Sequence, residues 1–107
     1  MQHIVYIDAL PKNALDAASK FSANWLPSIR EQINAGDSYV LVLPDAAYDH
    51  ADWRRAAIRD LARTYAPTRL NMISGGDDAA ITSTQNYLSD AGGVTGQYLP
   101  LSRRGDS

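Results

Sequence analysis

The spacing of apolar residues along the chain alternates between a strand-like and a helix-like period, and the alternation predicts seven elements. Ile4, Val5 and Ile7 sit in a short run over residues 3–8 that stops at Asp8, ahead of Leu10-Pro11, which reads as a strand and a turn. Asn13 then caps a helical pattern in which Leu15, Ala18, Ser22, Trp25 or Leu26, Ile29 and Ile33 recur at helical spacing up to Ala35-Gly36. Pro27 falls inside this run and has no amide proton, so either a kinked helix or two helices, 13–26 and 27–34, satisfies the pattern. Ser38–Leu43 is an almost unbroken apolar stretch closed by Pro44-Asp45, as expected for a central strand buried on both faces.

The second half repeats the alternation. Asp49 or Asp52 can cap a helix in which Trp53, Ala57, Leu61, Ala62 and Tyr65 form one stripe and Arg55, Arg59 and Arg63 another, ending at Ala66-Pro67. Residues 69–74 read as a third strand and Gly75-Gly76 as a turn, with Asp77 or Asp78 capping a third helix. Ala80, Ile81, Thr84, Tyr87 and Leu88 form the expected buried side of that helix. Gly92-Gly93 releases the chain into a last extended segment, 94–101, and the polar residues 102–107 read as a flexible tail. Strand and helix alternate with short connections, which predicts one domain over residues 1–101 built on an open, mainly parallel α/β sheet of four strands.

Composition narrows the chemistry. The 107 residues carry 10 Lys and Arg against 12 Asp and Glu, with 45% apolar and 21% charged residues, the profile of an ordinary globular domain. A complete large dinucleotide enzyme needs well over roughly 200 residues. No cysteine is present, which excludes a disulfide, a thiolate nucleophile, a zinc ribbon and an iron–sulfur cluster. A net charge of −2 gives no footprint for nucleic acid, and the longest apolar run is too short to span a bilayer. The first residues lack the layout of a signal peptide, so the expected location is cytoplasmic, with neither nucleic acid nor membrane as partner.

Three stretches resemble the short-chain dehydrogenase/reductase family, in the family's order. The sequence Val94-Thr95-Gly96-Gln97-Tyr98-Leu99-Pro100-Leu101, approached through Tyr87-Leu88-Ser89-Asp90, resembles the T-G-Q-x-L-x-V segment of the family's last strand. The run from Leu61-Ala62-Arg63 through Ala66-Pro67 to Arg69-Leu70-Asn71 is similar to the family's L-A-x-E-x-A-P-x-x-I-R-V-N. Leu26-Pro27 and the strand Ser38–Leu43 resemble the family's L-P and the G-x-I-V-N strand after it. The resemblance covers about nine tenths of the chain. It implies a small Rossmann-like fold of two or three layers, corresponding to the C-terminal half of the family's domain.

The residues that carry the family's chemistry are not found. The glycine-rich turn that holds the cofactor's pyrophosphate has no counterpart, because the chain begins at what resembles the family's fourth strand. The resemblance therefore describes a truncated, degenerate relative without the cofactor half. Hydride transfer in the family uses a Tyr, a Lys four residues later and a Ser on the preceding strand. Here Tyr48 is followed by Asp52, and the gapless register from Leu61-Ala62 places Ala47 and Ala51 at the two positions. Leu43-Pro44-Asp45 stands where the Ser would be, and both lysines, Lys12 and Lys20, belong to the first helical segment. No catalytic residue, cofactor-binding residue or metal ligand is assigned, and no cofactor is expected. An enzyme is not the favoured reading.

Other constellations carry less. His50 beside Asp45, Asp49 or Asp52 is read as helix capping and surface before it is read as a metal site. No G-x-S-x-G elbow marks a nucleophilic Ser. Asp77 and Asp78 occupy the helix start where Gly75-Gly76 would otherwise admit an anion, and the Arg55, Arg59, Arg63 stripe reads as a solvated face.

Two functional expectations remain. A four-stranded sheet in sequential order leaves one face short of cover and its first edge unpaired. That favours a non-catalytic interaction module, a homodimer or a complex with a dehydrogenase-like partner, joined through the first two helices. Trp25, Trp53, Leu61 and Tyr65 suit the interface, and the resemblance places those helices in a four-helix bundle with a second subunit. The alternatives are a small-ligand or enzymatic domain using a pocket at the strand C-terminal ends, near Asp8, Pro44, Asp45, Tyr48, His50, Ser74 and Gly75, or an accessory subunit of a full-length oxidoreductase.

Overall fold

A computed structural model describes residues 1–101; the expected tail, 102–107, lies outside the described residues. Four parallel strands, β1 (Gln2–Tyr6), β2 (Ser38–Leu43), β3 (Arg69–Gly75) and β4 (Tyr98–Leu101), stand in the order β1-β2-β3-β4. Val40 of β2 pairs with Ile4 on one side and Asn71 on the other, and Met72 of β3 pairs with Tyr98. Every residue of β2 is buried, as its unbroken apolar run predicts. β1 ends at Tyr6 rather than Asp8, although buried Ile7 still donates to the Val42 carbonyl at 2.8 Å.

The pleat divides the sheet into two cores. Tyr39, Leu41, Leu43, Leu70 and Met72 face one side, with Phe21, Ile29, Ile58 and Leu61 packed over them. Val40, Val42 and Ile73 face the other, where Leu88 is buried. The helices α1 (Ala14–Lys20), α2 (Leu26–Gln32) and α3 (Ala51–Thr64) therefore cover one face, and α4 (Asp78–Asp90) covers the other. Strand order advances steadily while the last helix changes sides, so the β3-α4-β4 connection has the opposite hand to the two before it. The result is three layers.

The first helical run changes type just ahead of Pro27. Residues Phe21–Trp25 form a π-helical segment between α1 and α2, in which the Leu26 amide bonds the Phe21 carbonyl five residues back. The proline falls in the first turn of α2, where a missing amide proton is tolerated. The wider turn also shifts the buried stripe. Ala17, Phe21 and Ile29 are buried, with Trp25 and Ile33 packed beside them, at a strict spacing of four. Leu15 and Ser22, which a 3.6-residue period assigns to that stripe, are exposed.

Three other expectations are corrected. Neither Asp49 nor Asp52 caps α3; a 3-10 turn, Tyr48–His50, leads into it, and His50 stands at the cap position with no side-chain capping bond. Tyr87 is 59% exposed, because the face of α4 nearest the sheet passes through Ile81, Thr84 and Leu88. Only the end of 94–101 is strand. Its first part is fastened beside β3 by the Asn71 side chain, which donates to the Val94 carbonyl (3.0 Å) and accepts from the Gln97 amide (3.1 Å).

Candidate functional site

The C-terminal ends of β1 and β2 open into two loops, and these loops hold the polar residues of greatest chemical interest. The segment after β1 brings Leu10, Pro11 and Lys12 against the segment after β2, Pro44, Asp45, Ala46 and Ala47. His50 and Arg54 rise behind them from the 3-10 turn and the first turn of α3. Together they enclose a pocket of about 320 Å³, within the size range of small-molecule sites.

His50 is buried and serves structure on both ring nitrogens. Trp53 Nε1 can only donate, and it lies 3.2 Å from His50 Nδ1, so that nitrogen accepts. The proton is on Nε2, which donates to the Lys12 carbonyl at 2.8 Å. The ring thus pins the loop after β1 to the start of α3, and neither nitrogen is left for a metal. Among the described residues no group of three His, Asp or Glu side chains could hold a metal ion.

Arg54 is 1% exposed, the largest fully buried side chain. Its Nη1 donates to the Pro44 carbonyl at 3.0 Å and to the Tyr98 hydroxyl at 3.4 Å, and that hydroxyl shares a 2.9 Å hydrogen bond with Ser74 Oγ. The guanidinium carbon lies 5.4 Å from the Trp53 ring centre and 5.9 Å from that of Tyr98. Arg54 Nε has no hydrogen-bond partner, and none of the ion pairs among the described residues includes Arg54. Arg54 is absent from the sequence-derived site. The signal was present, since Arg54, Ile58, Leu61 and Ala62 share a helical face, but the neighbouring arginine stripe made Arg54 look like one more solvated cation.

Of the pocket residues expected from sequence, Asp45 and His50 line the same cavity. Asp8 lies in an adjoining open hollow that also touches Lys20 and Pro44. Tyr48 is 93% exposed and lines neither. Ser74 is buried beneath Tyr98, and Gly75, at φ +71°, lets the Asp45 carboxylate approach so closely that a Cβ would sit 3.1 Å from Oδ1. Lys12 precedes α1 instead of belonging to it, which is how it reaches the pocket rim.

The four residues expected at an interface divide into two pairs. Leu61 and Tyr65 line a groove of about 260 Å³ between the π segment with α2 and α3, which also touches Leu26, Arg30, Ala57 and Asp60. Arg30 Nε donates to the Tyr65 hydroxyl at 2.7 Å across one end of it. Trp25 and Trp53 are half-buried against the inner core instead, Trp53 meeting the Phe21 ring at 5.4 Å. Arg55, Arg59 and Arg63 are exposed.

A parallel sheet in sequential order, two helical layers, a last connection of opposite hand and a loop-lined pocket at the strand ends define a Rossmann-like α/β domain. The family model for short chain dehydrogenase-like proteins matches residues 5–101. The chain belongs to that family. No curated protein and no solved structure matches it significantly.

Proposed function

We propose that this chain is a non-catalytic member of its family that works as an interaction module, pairing with a second copy through the outer surface of α2 and α3. The groove lined by Leu61 and Tyr65 carries this reading: half-buried Leu26, Ala57 and Tyr65 border it over buried Phe21 and Leu61, with Arg30 on the α2 wall and Asp60 on the α3 wall. A two-fold axis across such a groove brings opposite charges together. The sequence at the strand ends agrees, since no lysine follows a tyrosine at the spacing that hydride transfer in the wider family requires.

Light scattering on a size-exclusion column, over a tenfold dilution series, is expected to give twice the monomer mass. Ala57→Arg, on the groove wall, should return the mass to that of a monomer with an unchanged circular dichroism spectrum. A monomer at every concentration overturns the self-pairing, and saturable NAD(H) binding at micromolar concentration overturns the non-catalytic reading. Co-purification with a full-length dehydrogenase in place of a second copy would identify an accessory subunit.

One observation favours a second reading, a small-ligand domain: the pocket beside Asp45 and His50 contains a buried cation with an unused donor. The two readings use opposite ends of α3 and are tested separately.

A further inference from the structure

A buried guanidinium without a carboxylate is an expensive arrangement. Removing the charge from water is costly before any pairing, and a buried donor left unsatisfied adds to that cost. Arg54 meets both conditions. It is 1% exposed, its hydrogen-bond partners are one carbonyl and one hydroxyl, and Nε has none. Two aromatic faces offset part of the charge. A carboxylate stands in the same pocket wall, Asp45, but its Oδ1 lies over Gly75 and it forms no ion pair with Arg54.

We infer that the pocket binds a small apolar monocarboxylate whose carboxylate group takes up the charge of Arg54. This rests on the second reading above and names its ligand class. The buried cation of Arg54 sets the sign of the ligand's charge, and the single charge of a monocarboxylate balances it. The remaining walls set the body of the ligand, since Leu10, Pro11, Pro44, Ala46 and Ala47 are apolar, and about 320 Å³ accommodates one small ring or a short acyl chain. His50 cannot compete for the carboxylate, because its Nε2 proton is already given to the Lys12 carbonyl. Its place is to hold the Lys12 loop against α3, so that the wall is formed before the ligand arrives.

The test uses benzoate, with benzamide as the neutral isostere and inorganic phosphate as the dianion, titrated into the isotope-labelled full chain and followed by NMR. Benzoate is expected to move the Arg54 Nε–H signal and the backbone amides of Asp45, Ala46 and Ala47 in a saturable way, binding about tenfold or more tightly than benzamide, as a charge-assisted hydrogen bond implies. Arg54→Met should remove the preference. Ala47→Phe fills the mouth from an exposed wall position and should abolish binding while Arg54 and the fold remain, which keeps the test decisive if Arg54→Met fails to fold. Equal binding of benzoate and benzamide overturns the carboxylate assignment and leaves the pocket reading standing. Tighter binding of phosphate overturns the monoanion assignment. No saturable shift with any of the three, to tens of millimolar, overturns both the assignment and the pocket reading.

Discussion

Gly96 sits where the chain crosses α3 on its way to β4, and two separate constraints meet there. Its φ is +72°, in the region L side chains avoid, and a Cβ would lie 3.3 Å from the Cβ of Ala62. Its amide donates to the Leu70 carbonyl at 2.7 Å, so the segment cannot move outward without losing that bond. Gly96→Ala is therefore expected to destabilise the fold by about 1–3 kcal/mol, read from urea unfolding. Gly92→Ala, where nothing lies within 4 Å, should stay within about 0.5 kcal/mol of the parent. Individual residues are also where the sequence misled. Arg54 and Tyr87 each take an environment their residue type argues against, one buried and one exposed, and the stripe of exposed arginines beside Arg54 masks a buried cation held by a carbonyl, a hydroxyl and two aromatic rings.

Elements were legible where propensity, pattern and end signals agreed, as at β2 and α4. The sequence offered Asp77 or Asp78 as the cap of α4, and the structure selects Asp77, whose Oδ1 accepts from the Ala80 amide at 2.8 Å. Asp77→Ala should cost about 1 kcal/mol, whereas Asp78→Ala, which keeps that bond and loses only a favourable charge in the first turn, should cost about half as much or less. Chemical denaturation of the two variants beside the parent distinguishes them. The first helix was harder to read, because a π turn leaves no compositional mark beyond the proline that follows it. Once Phe21–Trp25 is widened, the buried residues fall four apart and the 3.6-residue template selects the wrong face at Leu15 and Ser22. The strand-end pocket was legible as a place but not in composition, since the chain reversals that bring Lys12 to His50 and Asp45 to Gly75 depend on contacts between elements distant in sequence.

At the scale of the whole molecule, β1 is an edge strand of the sheet, with a neighbour on one side only. What fastens its beginning is Asp37, in the turn before β2. Oδ2 pairs with His3 Nε2 at 2.8 Å and Oδ1 with the N-terminal ammonium at 3.3 Å. The His3 ring stacks on Tyr39 at 4.8 Å, and the Tyr39 hydroxyl donates to the Gln32 carbonyl at the end of α2. Edge strand, central strand and helix are thus linked through Asp37, His3 and Tyr39. The hydrogen bond from His3 lowers the Asp37 pKa below its ordinary 3.8, with the N-terminal charge acting in the same direction and desolvation opposing it. A carboxyl whose pKa is lower in the folded state binds its proton more readily once unfolded, so its contribution is complete above the unfolded pKa and disappears as pH falls through the folded one. Stability should therefore decline on acidification from about pH 5 toward pH 2. In Asp37→Asn, which keeps the side chain's size but not its charge, that part of the slope should vanish, leaving a variant less stable than the parent near neutrality and closer to it in acid. Urea unfolding at several pH values checks this. If the two curves run parallel across the acid range, Asp37 does not fasten the edge strand through its charge.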